Sequence, residues 1–243
     1  MASAGIGRRV EGIHAVAAAL AAGRVTRLHV EDRRRRLLGD LLADAAAAGI
    51  PTDVVDDVGA IAESSTPQGL VADCRPLPTV DLDHFAAEDR PAVLVVDHVQ
   101  DPHNLGAIAR SALAAGMTGL VAPAERAAPF SAVAFKAAAG ALERLPVAVV
   151  HSVADALARL SDRGLWVVGL DAGSGTSLFG LDLLTEPVAV VVGAEGSGLG
   201  RLVGDRCDVV VGIPMAGPTE SLNASVAAAL AAFEVQRVRR PGG

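Results

Sequence analysis

The chain has 243 residues, a mass of 24.5 kDa, 51% hydrophobic content and a mean hydropathy of +0.41, which supplies a buried core and excludes a disordered chain, although much of that fraction is alanine. A net charge of −7, from 21 basic and 28 acidic residues, argues against a sequence-blind polyanion binder and leaves room for a local basic patch. The longest stretch without a charge, Ser111 to Ala124, contains Gly and Pro and falls short of the about 18 apolar residues that a membrane span needs.

Arg8-Arg9 ahead of the Ala-rich run Ala15 to Ala22 has the outline of a secretory signal. The run is short, weakly apolar and preceded by Glu11 and His14, so it reads as a helix from Glu11 to Ala22, closed by Gly23. A strand at Val25 to Val30 follows, then a helix from Arg33 to Ala48 ending at Gly49, then strands at Ile50 to Val55 and Gly69 to Asp73. These make a first unit, residues 1–75. Residues 76–91 are rich in Pro and acid, without periodicity, and read as a linker. Cys74 and Cys207 form no CxxC pair, so neither a disulfide framework nor a Cys-based zinc site is expected, and the expected compartment is a reducing cytoplasm.

The second unit, residues 92–243, opens with an unbroken apolar run, Ala92 to Asp97, of the kind buried on both faces of a parallel sheet. Similar runs recur at Thr118 to Ala122, Val147 to Val150, Leu165 to Leu170, Val188 to Val192 and Val209 to Ile213. Helical stretches lie between and after them, at Asn104 to Ala115, Ser131 to Ala139, Ser152 to Ser161 and Ser221 to Arg239. Strands alternating with helices predict an open parallel α/β sheet. Ligands of such sheets bind beyond the carboxyl ends of the strands, here after Asp97, Leu170, Val192 and Ile213.

The segment Asp97 to Gly116 places Asn104 where an N-cap belongs and gives an apolar face of Leu105, Ile108, Ala112 and Leu113. Arg110 lies on another stripe, one turn from Gly106 and Ala114, and reads either as a solvated surface cation or as one with room for a ligand above it. Asp97, His98, Asp101 and His103 lack the i, i+4 His spacing of a helical metal site, and no metal is expected. GAEGSGLG, Gly193 to Gly200, fails three phosphate or nucleophile patterns. Arg201 stands where G-x-G-x-x-G needs its last Gly, no GK[ST] follows, and Glu195 stands where G-x-S-x-G needs its first Gly. It reads either as a plain tight turn or as a loop that brings backbone close to a ligand and presents Glu195. After Val211, GIPMAGPTESLNAS puts Ser221 and Asn223 at the entry of the final helix, where free N–H groups and the dipole favour an electronegative ligand.

Together DPHNLGAIAR, VVGAEGSGLG and IPMAGPTESLNASVAAAL closely resemble, in order and spacing, the three motifs of the SpoU/TrmH ribose 2′-O-methyltransferases of the SPOUT superfamily. The resemblance covers Ala92 to about Arg239. EGIHAVAAAL and PQGLVA resemble, more loosely, the start and end of the family's small substrate-binding domain, which has a ribosomal-protein-like α/β fold. That two-unit plan is most like the RlmB type, which modifies a guanosine in 23S rRNA. Members that modify tRNA commonly lack the extra unit, so tRNA is the second substrate reading and an antibiotic-resistance rRNA methyltransferase the third.

The resemblance implies a parallel sheet with a trefoil knot, S-adenosylmethionine as cofactor, no metal, an RNA partner and a homodimer. It places catalytic roles on Asn104, Arg110, Glu195, Ser221 and Asn223, and cofactor contacts, largely through backbone, on Gly193, Ile213 and Leu222. Similar proteins often have Ser or Cys where this chain has Ala138 or Ala139, so no contact is carried over to that helix. The dense basic run Arg33 to Arg36 suits an RNA contact or a solvated helix face. The final helix carries apolar residues on more than one side (Val226, Leu230, Phe233, Val235, Val238), as a helix with a partner would. Two other classes stay open: a catalytically silent RNA-binding adaptor, and a nucleotide-cofactor enzyme on an ordinary doubly wound sheet.

Overall fold

Two sheets follow one another along the chain in the computed structural model, which describes residues 5–125, 127–194, 198–217 and 221–240. The first is built from β1 (Arg9–Glu11), α1 (Ile13–Ala21), β2 (Val25–Glu31), α2 (Gly39–Ala47), β3 (Thr52–Val55) and β4 (Leu70–Cys74). Its strand order is β1-β4-β2-β3, with only β2 and β3 parallel. β1, which the sequence does not predict, ends on Glu11, where the predicted helix starts. Three residues are too few to show an alternation, and Gly12, at φ +83°, turns the chain before α1 begins. Arg33 to Arg36, which the sequence places in the first turn of a helix, lie instead in a 3₁₀ turn (Asp32–Arg34) and the turn after it, and α2 starts only at Gly39. Arg33 is drawn back to Glu31 at 2.7 Å, which favours the tight turn over a continued helix.

The second sheet is parallel throughout, in the order β10-β8-β9-β5-β6-β7. It is assembled from α3 (Asp83–Ala86), β5 (Ala92–Val96), α4 (Pro102–Ala114), β6 (Gly119–Pro123), α5 (Ala132–Ala138), β7 (Val147–Val150), α6 (Val153–Ser161), β8 (Trp166–Leu170), β9 (Val188–Val192), α7 (Arg201–Gly204), β10 (Val209–Val211) and α8 (Ala224–Arg239). β5 and β9 are buried at every position, as their unbroken apolar runs predict. Alternate residues serve two cores. Leu94, Leu120 and Val190 face α4, α5 and α8, while Val93, Val121 and Val191 face α3 and α6.

Residues 76–91 are packed against the second sheet. Leu82 and Phe85 are buried, a burial worth about 1.5–3 kcal/mol per side chain. The Phe85 ring lies where a Cβ on Gly119 would stand 2.1 Å away, so that strand position admits only glycine. The first core also runs on without a break into the N-terminal unit. There Arg24 pairs with Glu143 (Nε–Oε2 2.7 Å), their side chains only 7% and 2% exposed, and donates to the carbonyls of Gly7 (3.0 Å) and Arg75. Its guanidinium lies 5.6 Å from the Phe135 ring centroid.

Candidate active site

The carboxyl ends of β8, β9 and β10 open into a cavity of about 370 Å³, floored by Leu170, Val192 and Val211. Gly193, Ile213, Ser221 and Leu222 all line it. Backbone shapes this cavity. A Cβ on Gly193 would stand 2.1 Å from the Gly198 carbonyl oxygen, because the loop folds back on itself there, with Gly198 N–H donating to Ala194 at 3.1 Å. The loop after β10 is strapped in the same way to the loop after β8. Gly212 N–H donates to Thr176 O at 2.7 Å, and Leu178 N–H to Gly212 O at 2.8 Å.

The loops after β5 and β9 are joined by a side chain that sequence reasoning considered only as a metal ligand. Asp97 is 1% exposed. One of its oxygens accepts from Gly200 N–H at 3.1 Å and the other meets His98 Nδ1 at 2.7 Å. A carboxylate closing a strand buried on both faces was the signal available for this role, since burial of such a group demands partners. Among the described residues no three His, Cys, Asp or Glu side chains converge as a metal site would require. Burial pushes the thiols of Cys74 and Cys207 up to about 11, so neither is a ready nucleophile near neutral pH.

Asn104 and Asn223, 119 residues apart in sequence, meet at the cavity's edge, with Asn223 Nδ2 donating to Asn104 Oδ1 at 3.2 Å. Both helix starts differ from expectation. Asp101 caps α4 by accepting from His103 N–H at 2.8 Å, with Pro102 in the first turn, where its missing N–H costs nothing. That leaves Asn104 inside the helix, with its side chain on Asn223. α8 begins at Ala224, capped by Asn223, which accepts from Ser225 N–H at 2.9 Å. Ser221 is therefore not a helix cap but an exposed residue at the cavity wall. Arg110 stands on the exposed side of α4, about 9 Å along the axis from Asn104, and its side chain makes no hydrogen bond or ion pair with a described residue. It does not line the cavity. Glu195 lies outside the described residues. Asp171, Ala194 and Met215 also line the cavity and were not singled out from the sequence.

A parallel sheet with a backbone-lined cavity at its carboxyl edge, and a polar helix entry beside it, defines an α/β enzyme for a compact cofactor without a dinucleotide fingerprint. Residues 91–233 match the model of the SpoU rRNA Methylase family, and residues 9–80 match that for RNA 2′-O ribose methyltransferase substrate binding. A Mycobacterium ulcerans protein named an uncharacterized tRNA/rRNA methyltransferase is 45% identical over 209 residues, 84% of this chain and 67% of that protein. The crystal structure of the SpoU methyltransferase AviRb from Streptomyces viridochromogenes, in complex with AdoMet, is similar with a TM-score of 0.79 at 27% identity, covering 95% of this chain and 90% of that one. An AdoMet-bound rRNA methyltransferase from Sinorhizobium meliloti matches at 0.78 and 26% identity over 94% of this chain and 86% of that one. The chain belongs to the SpoU/TrmH family of S-adenosylmethionine-dependent RNA ribose 2′-O-methyltransferases.

Proposed function

We propose that this enzyme methylates the ribose 2′-hydroxyl of a guanosine in 23S rRNA. The observation that carries the reading is one cavity lined by Gly193, Ile213, Ser221 and Leu222, with the Asn104–Asn223 bond at its edge, in a chain that also holds a substrate-binding unit. Likeness over nearly the whole chain to a structure named an rRNA methyltransferase supports rRNA over tRNA.

The cavity suits S-adenosylmethionine. Its floor is apolar, for an adenine ring, and its rim offers backbone donors and acceptors at Gly193, Ile213 and Leu222. When bound, the cofactor supplies an electrophilic methyl group, and no metal is needed. The chain must then hold the ribose oxygen in line and ease loss of its proton. Arg110, free of intramolecular pairing among the described residues, holds a neighbouring phosphate or stabilises the emerging alkoxide. A guanidinium is not deprotonated in proteins, so Arg110 is not itself the base. Asn104 and Asn223 fix the first and third loops against each other, Ser221 orients ligand at the wall, and Glu195 anchors the glycine-rich loop.

The trefoil knot and the division into residues 1–75, 76–91 and 92–243 belong to this reading. So does a homodimer: Val226 and Phe233, seven residues apart on one stripe of α8, are each 46% exposed and suit a second copy. So does a cytoplasmic location; among the described residues no helix is long and apolar enough to cross a membrane. The test is to incubate the enzyme and labelled cofactor with unmodified 23S rRNA, 16S rRNA and bulk tRNA. Label is expected in 23S rRNA, at a guanosine ribose. Label in tRNA alone would overturn the substrate, and label in none would favour a silent adaptor.

A further inference from the structure

A second cavity, of about 280 Å³, lies between the two units. Arg8, Arg9, Glu63 and Asp73 wall it from the N-terminal side, and Phe130 and Ser131 from the entry to α5. Several of its polar groups are already engaged. Arg9 donates to Asp73 at 3.1 Å and to the Ile61 carbonyl at 2.9 Å, His29 takes the second Asp73 oxygen at 3.0 Å, and one Glu63 oxygen accepts from Ala132 N–H at 2.8 Å.

Two groups are not. Arg8 is exposed, and its side chain makes no hydrogen bond or ion pair with a described residue. The Ser131 hydroxyl oxygen is buried and has no hydrogen-bond partner, a costly condition for a polar atom. Capping does not account for it, because Ser131 makes no side-chain bond to α5.

The position of the cleft matters as much as its chemistry. The loop carrying Phe130 leaves the same sheet edge as the cofactor cavity, from β6, two strands from β9 or on the order of 10 Å. It is tied to the turn that precedes the first motif, with Ala128 N–H donating to the Val99 carbonyl at 2.7 Å. An RNA strand laid along that edge would pass both openings. The dense basic run offers less: Arg33 is held by Glu31 at 2.7 Å and Arg35 by Asp32 at 3.4 Å.

An aromatic ring, an unpaired guanidinium and a buried hydroxyl are the groups that take a base, a phosphate and a polar base edge or 2′-hydroxyl. The cleft is too small for a duplex. We propose that the inter-unit cleft walled by Arg8, Phe130 and Ser131 seats one unstacked nucleotide of the RNA, other than the nucleotide that receives the methyl group. This rests on the reading of the chain as an enzyme that binds rRNA or tRNA.

The test uses the full chain, with Ser131→Ala, Arg8→Glu and Phe130→Ala each compared with wild type. Binding of labelled transcripts of unmodified 23S rRNA and of tRNA is measured by anisotropy across a salt series, alongside Tm and calorimetry with S-adenosylhomocysteine. Ser131→Ala should weaken RNA binding about threefold or more while Tm stays level or rises, because an unpaired buried hydroxyl has been removed. Arg8→Glu and Phe130→Ala should each weaken it about tenfold, and Arg8→Glu should also flatten the salt dependence. Cofactor affinity should not change. If wild type binds an RNA and the three variants bind it equally well, this inference fails and the functional reading stands. If Ser131→Ala loses RNA binding only together with Tm or cofactor affinity, the hydroxyl is structural and the inference fails. If wild type binds neither transcript, both fail.

Discussion

Between the two units, Arg24 and Glu143 meet side chain to side chain in a site almost closed to water, whereas at the carboxyl edge of the parallel sheet the cavity is shaped mainly by backbone meeting backbone. At that point the interface, beside the continuous apolar core, is a contact of charges brought from distant parts of the chain. The edge is a contact of glycines, where Gly193 lies against Gly198 and Gly212 against Ser174. A charged interface is broken by removing one side chain, while a backbone edge is broken by adding one. The difference also bears on function, because loops held by their backbones keep their shape whatever side chains a ligand contacts.

The interface should give the largest loss of stability. Arg24→Met leaves Glu143 buried without its partner, and breaking a buried pair from one side costs about 3–5 kcal/mol. Arg24→Met with Glu143→Leu should recover much of that, and urea unfolding of the three proteins measures both effects. At the edge, Gly193→Ala must push back the Gly198 carbonyl, a backbone group that cannot swing away, at a cost of about 3 kcal/mol. Calorimetry should show S-adenosylhomocysteine affinity falling at least about tenfold. Gly204→Ala, where nothing lies within 4 Å of the added carbon, is the control expected to leave binding unchanged.

The same contrast decides how much was legible in the sequence. β5 and β9 were, because an unbroken run of Val, Ala and Leu, too short for a helix of ordinary length, fits a strand buried on both faces. The place of the cavity was as well: Gly193, Ile213 and Leu222 line it, in loops that follow legible strands. β1 was hidden by its three residues, and the turn at Arg33 by a run of charges that suits a helix equally well. The interface was illegible for another reason. Arg24 and Glu143 are 119 residues apart, and no local pattern marks a residue whose partner arrives only on folding. Ser131 shares that difficulty, as its meaning lies in what surrounds it.

Arg110 tests whether the edge separates binding from chemistry. Lying off the cavity, it should leave S-adenosylhomocysteine affinity within a few-fold when changed to Ala. Methylation should fall about 10²–10³-fold, the loss expected when one charge-stabilising donor is removed. Near-normal turnover in a folded variant would place the chemistry elsewhere.

The smallest effect sharpens the contrast from outside the edge, because a charged side chain also ties the final helix to the fold. Glu234 of α8 is buried, accepts from Gly180 N–H at 2.8 Å and pairs with Arg237 at 2.8 Å, so it ties the final helix to the connection between β8 and β9. The Arg237 hydrogen bonds hold its carboxyl below the ordinary value of 4.5, against burial, which pushes it up, and the Gly180 N–H adds to the lowering. A carboxyl depressed in the folded state adds stability that is complete above its unfolded value and lost as pH falls through the folded one. Glu234→Gln keeps an oxygen for Gly180 but removes the charge. Because Arg237 is 53% exposed and solvent screens the pair, the loss near pH 7 should stay below about 1 kcal/mol. Denaturant unfolding of both proteins should show that difference at pH 7 and still at pH 5, then narrowing toward zero as pH drops below 4.5 and the wild-type carboxyl takes up its proton. A difference that persists undiminished in acid would mean that Glu234 acts through packing alone.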